Sequence, residues 1–260
     1  MTDHHGAGDE NLVSSGLSEF LQKVREKTPA RIFTGRAGAA YRTGAQLELR
    51  SAHAAARDAV RSEMDLLGAF GEAFVHEWNL FEVPTQAATK DEYLLRPDLG
   101  RHLTDAARQQ LQQICASGCD LQIAIGDGLS VPAVSLQVPQ LLPPLCAGAR
   151  ERGWTVGRTF VVRHCRVAIL NEIGELLEPR VAVLLIGERP GLATAESLSA
   201  YMAYRPCSAH TDANRNLISN IHARGVSPTE AASRILHLAS QMMTLQLSGY
   251  SLKETRPQLS

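Results

Sequence analysis

Glu188 and Arg189 stand side by side in the run Gly187-Glu188-Arg189-Pro190-Gly191, directly after Val181-Ala182-Val183-Leu184-Leu185-Ile186. A carboxylate accepts hydrogen bonds and a guanidinium donates several, so the pair suits a ligand that carries amide, hydroxyl or anionic groups. Pro190 stiffens the loop, and Gly187 and Gly191 are expected to take backbone angles that other residues avoid. A local ion pair or a helix cap, worth up to about 1 kcal/mol when exposed, is the competing reading. A second concentration of polar groups comprises Asp212, Asn214, Arg215, Asn216, Ser219 and Asn220. Turn chemistry accounts for much of it, although its amides and hydroxyls also suit a ligand with an amide-rich rim.

The turn Gly126-Asp127-Gly128-Leu129-Ser130 invites a dinucleotide-binding reading. That fingerprint needs a third glycine where Val131 stands, and an acidic residue near the end of the following strand, which here ends Arg163-His164-Cys165-Arg166. Both requirements fail, so a structural turn, or a turn that meets a different ligand, is the better reading and a stand-alone NAD(P)-dependent oxidoreductase is kept only as an alternative. There is no His-Glu-x-x-His, no phosphate loop ending in Lys-Ser or Lys-Thr, and no Gly-x-Ser-x-Gly. The nine histidines are scattered; His4 and His5 fall near the start and His210 and His222 in expected loops. Cys115 and Cys119 are four apart, but nothing nearby completes a zinc site, so reduced thiols and no bound metal are expected.

Those residues have to be held by elements, and the pattern is strand–helix alternation. Strands are expected at Leu121–Ile125, Thr159–Arg163, Val181–Ile186 and Ser197–Tyr204. The unbroken apolar run from Val181 suits a strand buried on both faces, and ligands of open α/β sheets bind beyond such strand ends. Helices are expected from Thr43, as N-cap, to about Met64, and along Leu99, Leu103, Ala107, Leu111 and Ile114 until Gly118. A third helical stretch, broken by Pro139 and Pro143-Pro144, reaches Arg152, and Ile169, Ile173, Leu176 and Leu177 mark a fourth. Ser227-Pro228-Thr229-Glu230 opens the last, running to about Gly249. The stretch from Phe70 to Pro97 reads as irregular. The fold class expected is α/β, a Rossmann-like parallel or mixed sheet flanked by helices, with a mainly helical N-terminal lobe. The divisions are a flexible tail at 1–16, the helical lobe at 17–95, the α/β domain at 96–250 and a C-terminal tail at 251–260.

Composition sets the outer limits. The 260 residues are 44% hydrophobic and 20% charged, enough apolar content for a real core. The net charge of −1 provides no basic field for nucleic acid or anionic membrane, and no apolar run approaches a membrane span. Met1 to Ser15 lacks the layout of a secretory signal.

Several ungapped motifs then occur in order: Gly35-Arg36-Ala37-Gly38, Arg96-Pro97-Asp98-Leu99-Gly100-Arg101, Asp127-Gly128-Leu129-Ser130, Gly187-Glu188-Arg189-Pro190-Gly191-Leu192, Ser197-Leu198, Arg215 and Ile218-Ser219-Asn220-Ile221. Over roughly residues 30 to 250 the chain resembles the small (light) subunit of ethanolamine ammonia-lyase. The resemblance implies a subunit of an adenosylcobalamin-dependent enzyme that converts ethanolamine to acetaldehyde and ammonia. It implies a barrel-shaped large subunit that carries the catalytic residues, with the small subunit covering the cobalamin between the two chains. Six copies of each subunit are implied, in the cytoplasm or inside a bacterial microcompartment. Carried over by position, the cobalamin contacts fall on Val167, Glu188 and Leu217, the last replacing a cysteine common in relatives. The one Asp-x-His-x-x-Gly pattern, Asp3-His4-His5-Gly6-Ala7-Gly8, falls in the expected N-terminal tail outside the resemblance, so the cofactor is expected to keep its own lower base. A scaffold subunit that never touches cofactor is the further alternative.

Overall fold

The computed structural model describes residues 19–26, 30 and 32–254. The expected tail at 1–16, with His4 and His5, lies outside the described residues, as do 255–260 of the expected C-terminal tail. Arg36–Ala37 (β1) and Ala40–Tyr41 (β2) pair as a small antiparallel hairpin. Helix α1 (Thr43–Arg61), helices α2 (Leu66–Phe70) and α3 (Glu72–Glu77), strand β3 (Glu82–Pro84) and helix α4 (Lys90–Leu95) follow. The remainder runs α5 (Asp105–Ile114), β4 (Leu121–Gly126), α6 (Val131–Glu151), β5 (Phe160–Arg163), α7 (Ile169–Leu177), β6 (Val181–Gly187), β7 (Leu198–Tyr204), β8 (Asn216–Ile221) and α8 (Pro228–Leu245).

The main sheet has the order β3-β5-β4-β6-β7-β8, parallel from β3 to β6 and antiparallel at β7 and β8. Every residue of β4 and β6 is buried, as the apolar run from Val181 requires. Side chains of a strand alternate between faces. Leu121, Ile123, Ile125, Val181, Val183 and Leu185 accordingly pack with α6 and α8, while Ala124, Ala182, Leu184 and Ile186 pack with α5 and α7. From β4 the chain crosses through α6 to β5 on one side, then returns through α7 to β6 on the other. The strand order therefore reverses between β4 and β6, the place where open α/β sheets leave a crevice.

Three internal prolines do not break α6, which is continuous from Val131 to Glu151. Each costs about 3 kcal/mol in a helix interior. Fully burying Val134, Val138, Leu141, Leu142 and Leu145 offsets that at about 1.5–3 kcal/mol per side chain. Other local expectations shift too. Arg42 rather than Thr43 is the N-cap of α1, without a side-chain cap bond. Leu99–Arg101 is a 3₁₀ turn, and α5 starts after Thr104, whose side chain accepts from Ala107 N–H. Helix α5 also ends at Ile114, before Gly118.

The segment from Phe70 to Pro97, expected to be irregular, supplies the sheet edge β3 and helix α4. Residues 216–221, expected in a loop, form the opposite edge, β8. Ser227 caps α8 as expected, accepting from Glu230 N–H, although the helix ends at Leu245 with Gln246 left-handed.

A candidate ligand cleft at the carboxyl ends of the strands

Loops 127–130, 164–168 and 188–197 leave the carboxyl ends of β4, β5 and β6 side by side. Helix α5 packs on β3 and α7 on β6, so beyond β6 that face of the sheet is open. The alternate residues Ser199 and Tyr201 of β7 and Leu217 and Ser219 of β8 floor a cleft there, of about 280 Å³. Val167, Glu188 and Leu217, chosen from the sequence, all line it. Leu217 is 45% exposed, opposite Tyr201 in the strand register. Burial, with the Glu188 charge adding to it, raises the Tyr201 hydroxyl pKa, so this phenol stays protonated.

Glu188 is held by what a β-bulge releases. Between the pairs Leu198↔Ile221 and Ala200↔Ile218, β8 has two residues, Ser219 and Asn220, against Ser199 alone on β7. Bulges re-aim groups that would otherwise join the ladder. The Asn220 N–H, on a residue with φ of 61°, donates to Glu188 Oε1 at 2.8 Å, and Ser199 Oγ donates to the same oxygen at 2.7 Å. Glu188 Oε2 has no hydrogen-bond partner among the described residues. Arg189 is exposed at the rim and makes no ion pair with Glu188. Neither Gly187 nor Gly191 has a positive φ. Gly187 is needed for space, since a Cβ there would lie 2.1 Å from the Ser130 carbonyl oxygen.

The Gly126-Asp127-Gly128 turn is a clamp. Asp127 is fully buried and accepts from His164 N–H at 3.0 Å and Cys165 N–H at 2.8 Å, with Lys90 Nζ 3.6 Å away. A Cβ on Gly128 would meet the Gly187 carbonyl at 2.4 Å, so the turn packs against the next loop. Ser130 caps α6 and donates to the Ala195 carbonyl, tying down the loop after β6. Tyr93 Oη donates to the Cys165 carbonyl at 2.9 Å, and the Arg166 guanidinium lies 4.1 Å over the Tyr93 ring. Gly100 O accepts from Arg166 N–H at 2.8 Å, so the Arg96–Arg101 segment braces the same loop. Val167 is thus presented by a rigid loop.

A second cavity, about 610 Å³, shares Arg166, Val167 and Tyr201 with the cleft and adds Arg101, His210, Asp212 and Arg215. The polar cluster of the sequence is split by the fold. Asp212 and Arg215 line this second cavity, Ser219 and Asn220 serve the first, and Asn214 and Asn216 make structural bonds to Thr211, Gly249 and Leu252. Sequence reading did not single out Ser199 and Tyr201, although polar residues at alternate positions of an apolar strand were the available signal. Burial pushes the Cys115 and Cys146 thiols up to about 11, and those of Cys119 and Cys165 upward as well. Among the described residues no group of three or more His, Cys, Asp or Glu is placed to hold a metal ion.

Sheet and cleft together define an open α/β protein with a cleft at its switch point, lined by a carboxylate, apolar surface and arginines. The family model for ethanolamine ammonia-lyase light chain (EutC) matches residues 18–253, and the chain belongs to that family. It is 41% identical over 235 residues to the ethanolamine ammonia-lyase small subunit of Clostridium perfringens, covering 90% of this chain and 78% of that one. The family is that of an ammonia-lyase subunit, and its name implies a larger partner subunit. No helix among the described residues is long and apolar enough to cross a membrane.

Proposed function

We propose that this chain is the cobalamin-covering subunit of an adenosylcobalamin-dependent ethanolamine ammonia-lyase, active only with a barrel-type large subunit that carries the catalytic residues. The single observation that carries the reading is the convergence of Val167, Glu188 and Leu217 on one cleft. The groups present fit a corrin. Its rim carries amide arms, and Glu188 Oε2 is a free acceptor for an amide NH2, while Val167, Leu217 and the Tyr201 ring offer apolar surface to the macrocycle. When bound, adenosylcobalamin supplies the radical that starts the reaction. This chain's residues bind and orient: Glu188, fixed by Ser199 and Asn220, sets the position of an amide arm, and the Asp127 clamp keeps Val167 in place. In this proposal the cofactor retains its own lower base.

The open side of the cleft is where the large subunit would close it. Helix α1 buries only Ala59, and the β1–β2 hairpin is wholly exposed, so both offer surface to that partner. Six copies of each subunit, in the cytoplasm or a bacterial microcompartment, complete the proposal. Co-expression with a barrel-type large subunit should yield a complex that releases acetaldehyde from ethanolamine only with adenosylcobalamin, and neither chain alone should do so. A complex that binds no corrin, or a small subunit dispensable for activity, would overturn it.

A further inference from the structure

The larger cavity beside the cleft has more donors than the fold uses. Arg101, Arg166 and Arg215 bring three guanidiniums to it, with His210. Arg215 is only 8% exposed, yet its Nε has no hydrogen-bond partner, and the same holds for the buried Arg166 Nε and His210 Nδ1. Leaving a buried donor unsatisfied is unfavourable, so two guanidinium N–H groups around one cavity, with an unpartnered imidazole nitrogen beside them, need a common explanation. The lining holds one carboxylate, Asp212, which is almost fully exposed and already accepts from Arg215 Nη1. The guanidiniums are held in place without a ligand: Arg215 Nη2 donates to Asn171 Oδ1 at 2.8 Å, and Arg166 Nη2 to the Tyr93 carbonyl at 3.1 Å. Such an arrangement calls for a small group that only accepts, carries negative charge and offers several oxygens. Phosphate has that chemistry, and arginine forks match its geometry.

We propose that Arg101, Arg166 and Arg215 form a phosphate site, occupied by the phosphodiester in the nucleotide arm of the cobalamin whose corrin lies in the adjoining cleft. The assignment to cobalamin rests on the function proposed above. Its support is continuity: Arg166, Val167 and Tyr201 line both cavities, so one ligand can span them.

The test uses the assembled two-subunit complex, titrated spectrophotometrically with cyanocobalamin and with dicyanocobinamide, a corrin that lacks the nucleotide phosphate and base. Arg215→Met is the buried probe, and Arg101→Gln, at an exposed residue, is the variant that leaves folding intact. Each should weaken cyanocobalamin binding about tenfold or more while leaving cobinamide affinity unchanged. Glu188→Gln should weaken both ligands alike. Equal loss for both corrins in the arginine variants, or no loss for either, would overturn the phosphate site. Inorganic phosphate binding that Arg101→Gln abolishes, with cyanocobalamin affinity untouched, would overturn the assignment to the cofactor and give the site to free phosphate. Failure of the unmodified complex to bind any corrin would instead overturn the proposed function, and the phosphate titration would still decide the arginine site.

Discussion

The Glu188 carboxylate accepts a hydrogen bond from the Asn220 backbone N–H across 2.8 Å, joining the end of β6 to a bulge in β8. Two strands that are not neighbours in the sheet are tied over β7, with Ser199 between them as the second donor. One carboxylate oxygen is thereby committed to the fold, and the other makes no hydrogen bond among the described residues.

Glu188→Ala should therefore lower cobalamin affinity of the assembled complex by about ten- to hundredfold, the weight of one hydrogen bond to a charged group. Losing the hydrogen bonds from Ser199 and Asn220 should also lower folding stability, by about 1–3 kcal/mol. Spectrophotometric titration beside denaturant unfolding separates the two effects, and an unchanged affinity would remove Glu188 from the site.

Leu217 offers only apolar surface to the cleft, so the thiol that the family resemblance implies at this position should not be required. Leu217→Cys should keep cobalamin affinity within about fivefold, since a side chain already 45% exposed loses roughly one methylene-equivalent of contact. Leu217→Asp, which puts a second carboxylate into the cleft with Glu188, should cost more than tenfold. The same titration reads both, and a large loss in the cysteine variant would sink the apolar role.

Asp127 is the acceptor on which the loop 164–168 hangs, and Lys90 is its buried cation. Asp127→Asn leaves that ammonium buried without its counter-charge and should destabilise the fold by about 3–5 kcal/mol. Adding Lys90→Met should recover part of the loss. Urea unfolding of the single and double variants checks this, and a single variant of unchanged stability would refute the clamp.

Gly128 and Gly38 both have positive φ, at 57° and 64°, but only Gly128 lacks room for a side chain. Gly38→Ala should cost about 1–2 kcal/mol from backbone conformation alone. Gly128→Ala adds a collision with the Gly187 carbonyl and should cost more than twice as much. Equal losses by thermal unfolding would mean that the two strand-end loops are not packed as described.

Burial lowers the pKa of both His210 and His222, with the Arg215 and Arg224 charges acting in the same direction, from an ordinary 6.5. Just below that pH the unfolded chain binds more protons than the folded one, so stability falls as pH drops and is insensitive to these groups above it. Protonating His222 also removes the Nδ1 acceptor used by Arg224 N–H. Unfolding midpoints between about pH 7 and 5.5, above the range of ordinary carboxyls, should slope downward. The slope should flatten in the double variant His210→Gln/His222→Gln, and an unaltered slope would exclude these groups as its source.

How much of this was legible in the chain differs from element to element. Val181–Gly187 was legible because full burial of a strand leaves an unbroken apolar run, and α8 because Ser227-Pro228-Thr229-Glu230 carries its own cap. The edge strands β3 and β8 were not, because each has one ladder partner and an exposed side that admits polar residues. The prolines misled at α6, since their local cost is plain in the sequence while the burial that offsets it belongs to the packed state.

By itself the sequence determined the family, the α/β alternation and the loop after β6 as the place to look, since caps, apolar runs and ordered motifs are local in the chain. Only the tertiary structure decided that Val167, Glu188 and Leu217 share one cleft, that Gly187 serves close packing, and that Arg101, Arg166 and Arg215 converge next door. Such facts depend on strand order, on where the crossovers reverse and on a bulge that frees one N–H. Periodicity reports which face of an element is buried, but not which element buries it, and a site assembled from five strands lies in that second kind of information.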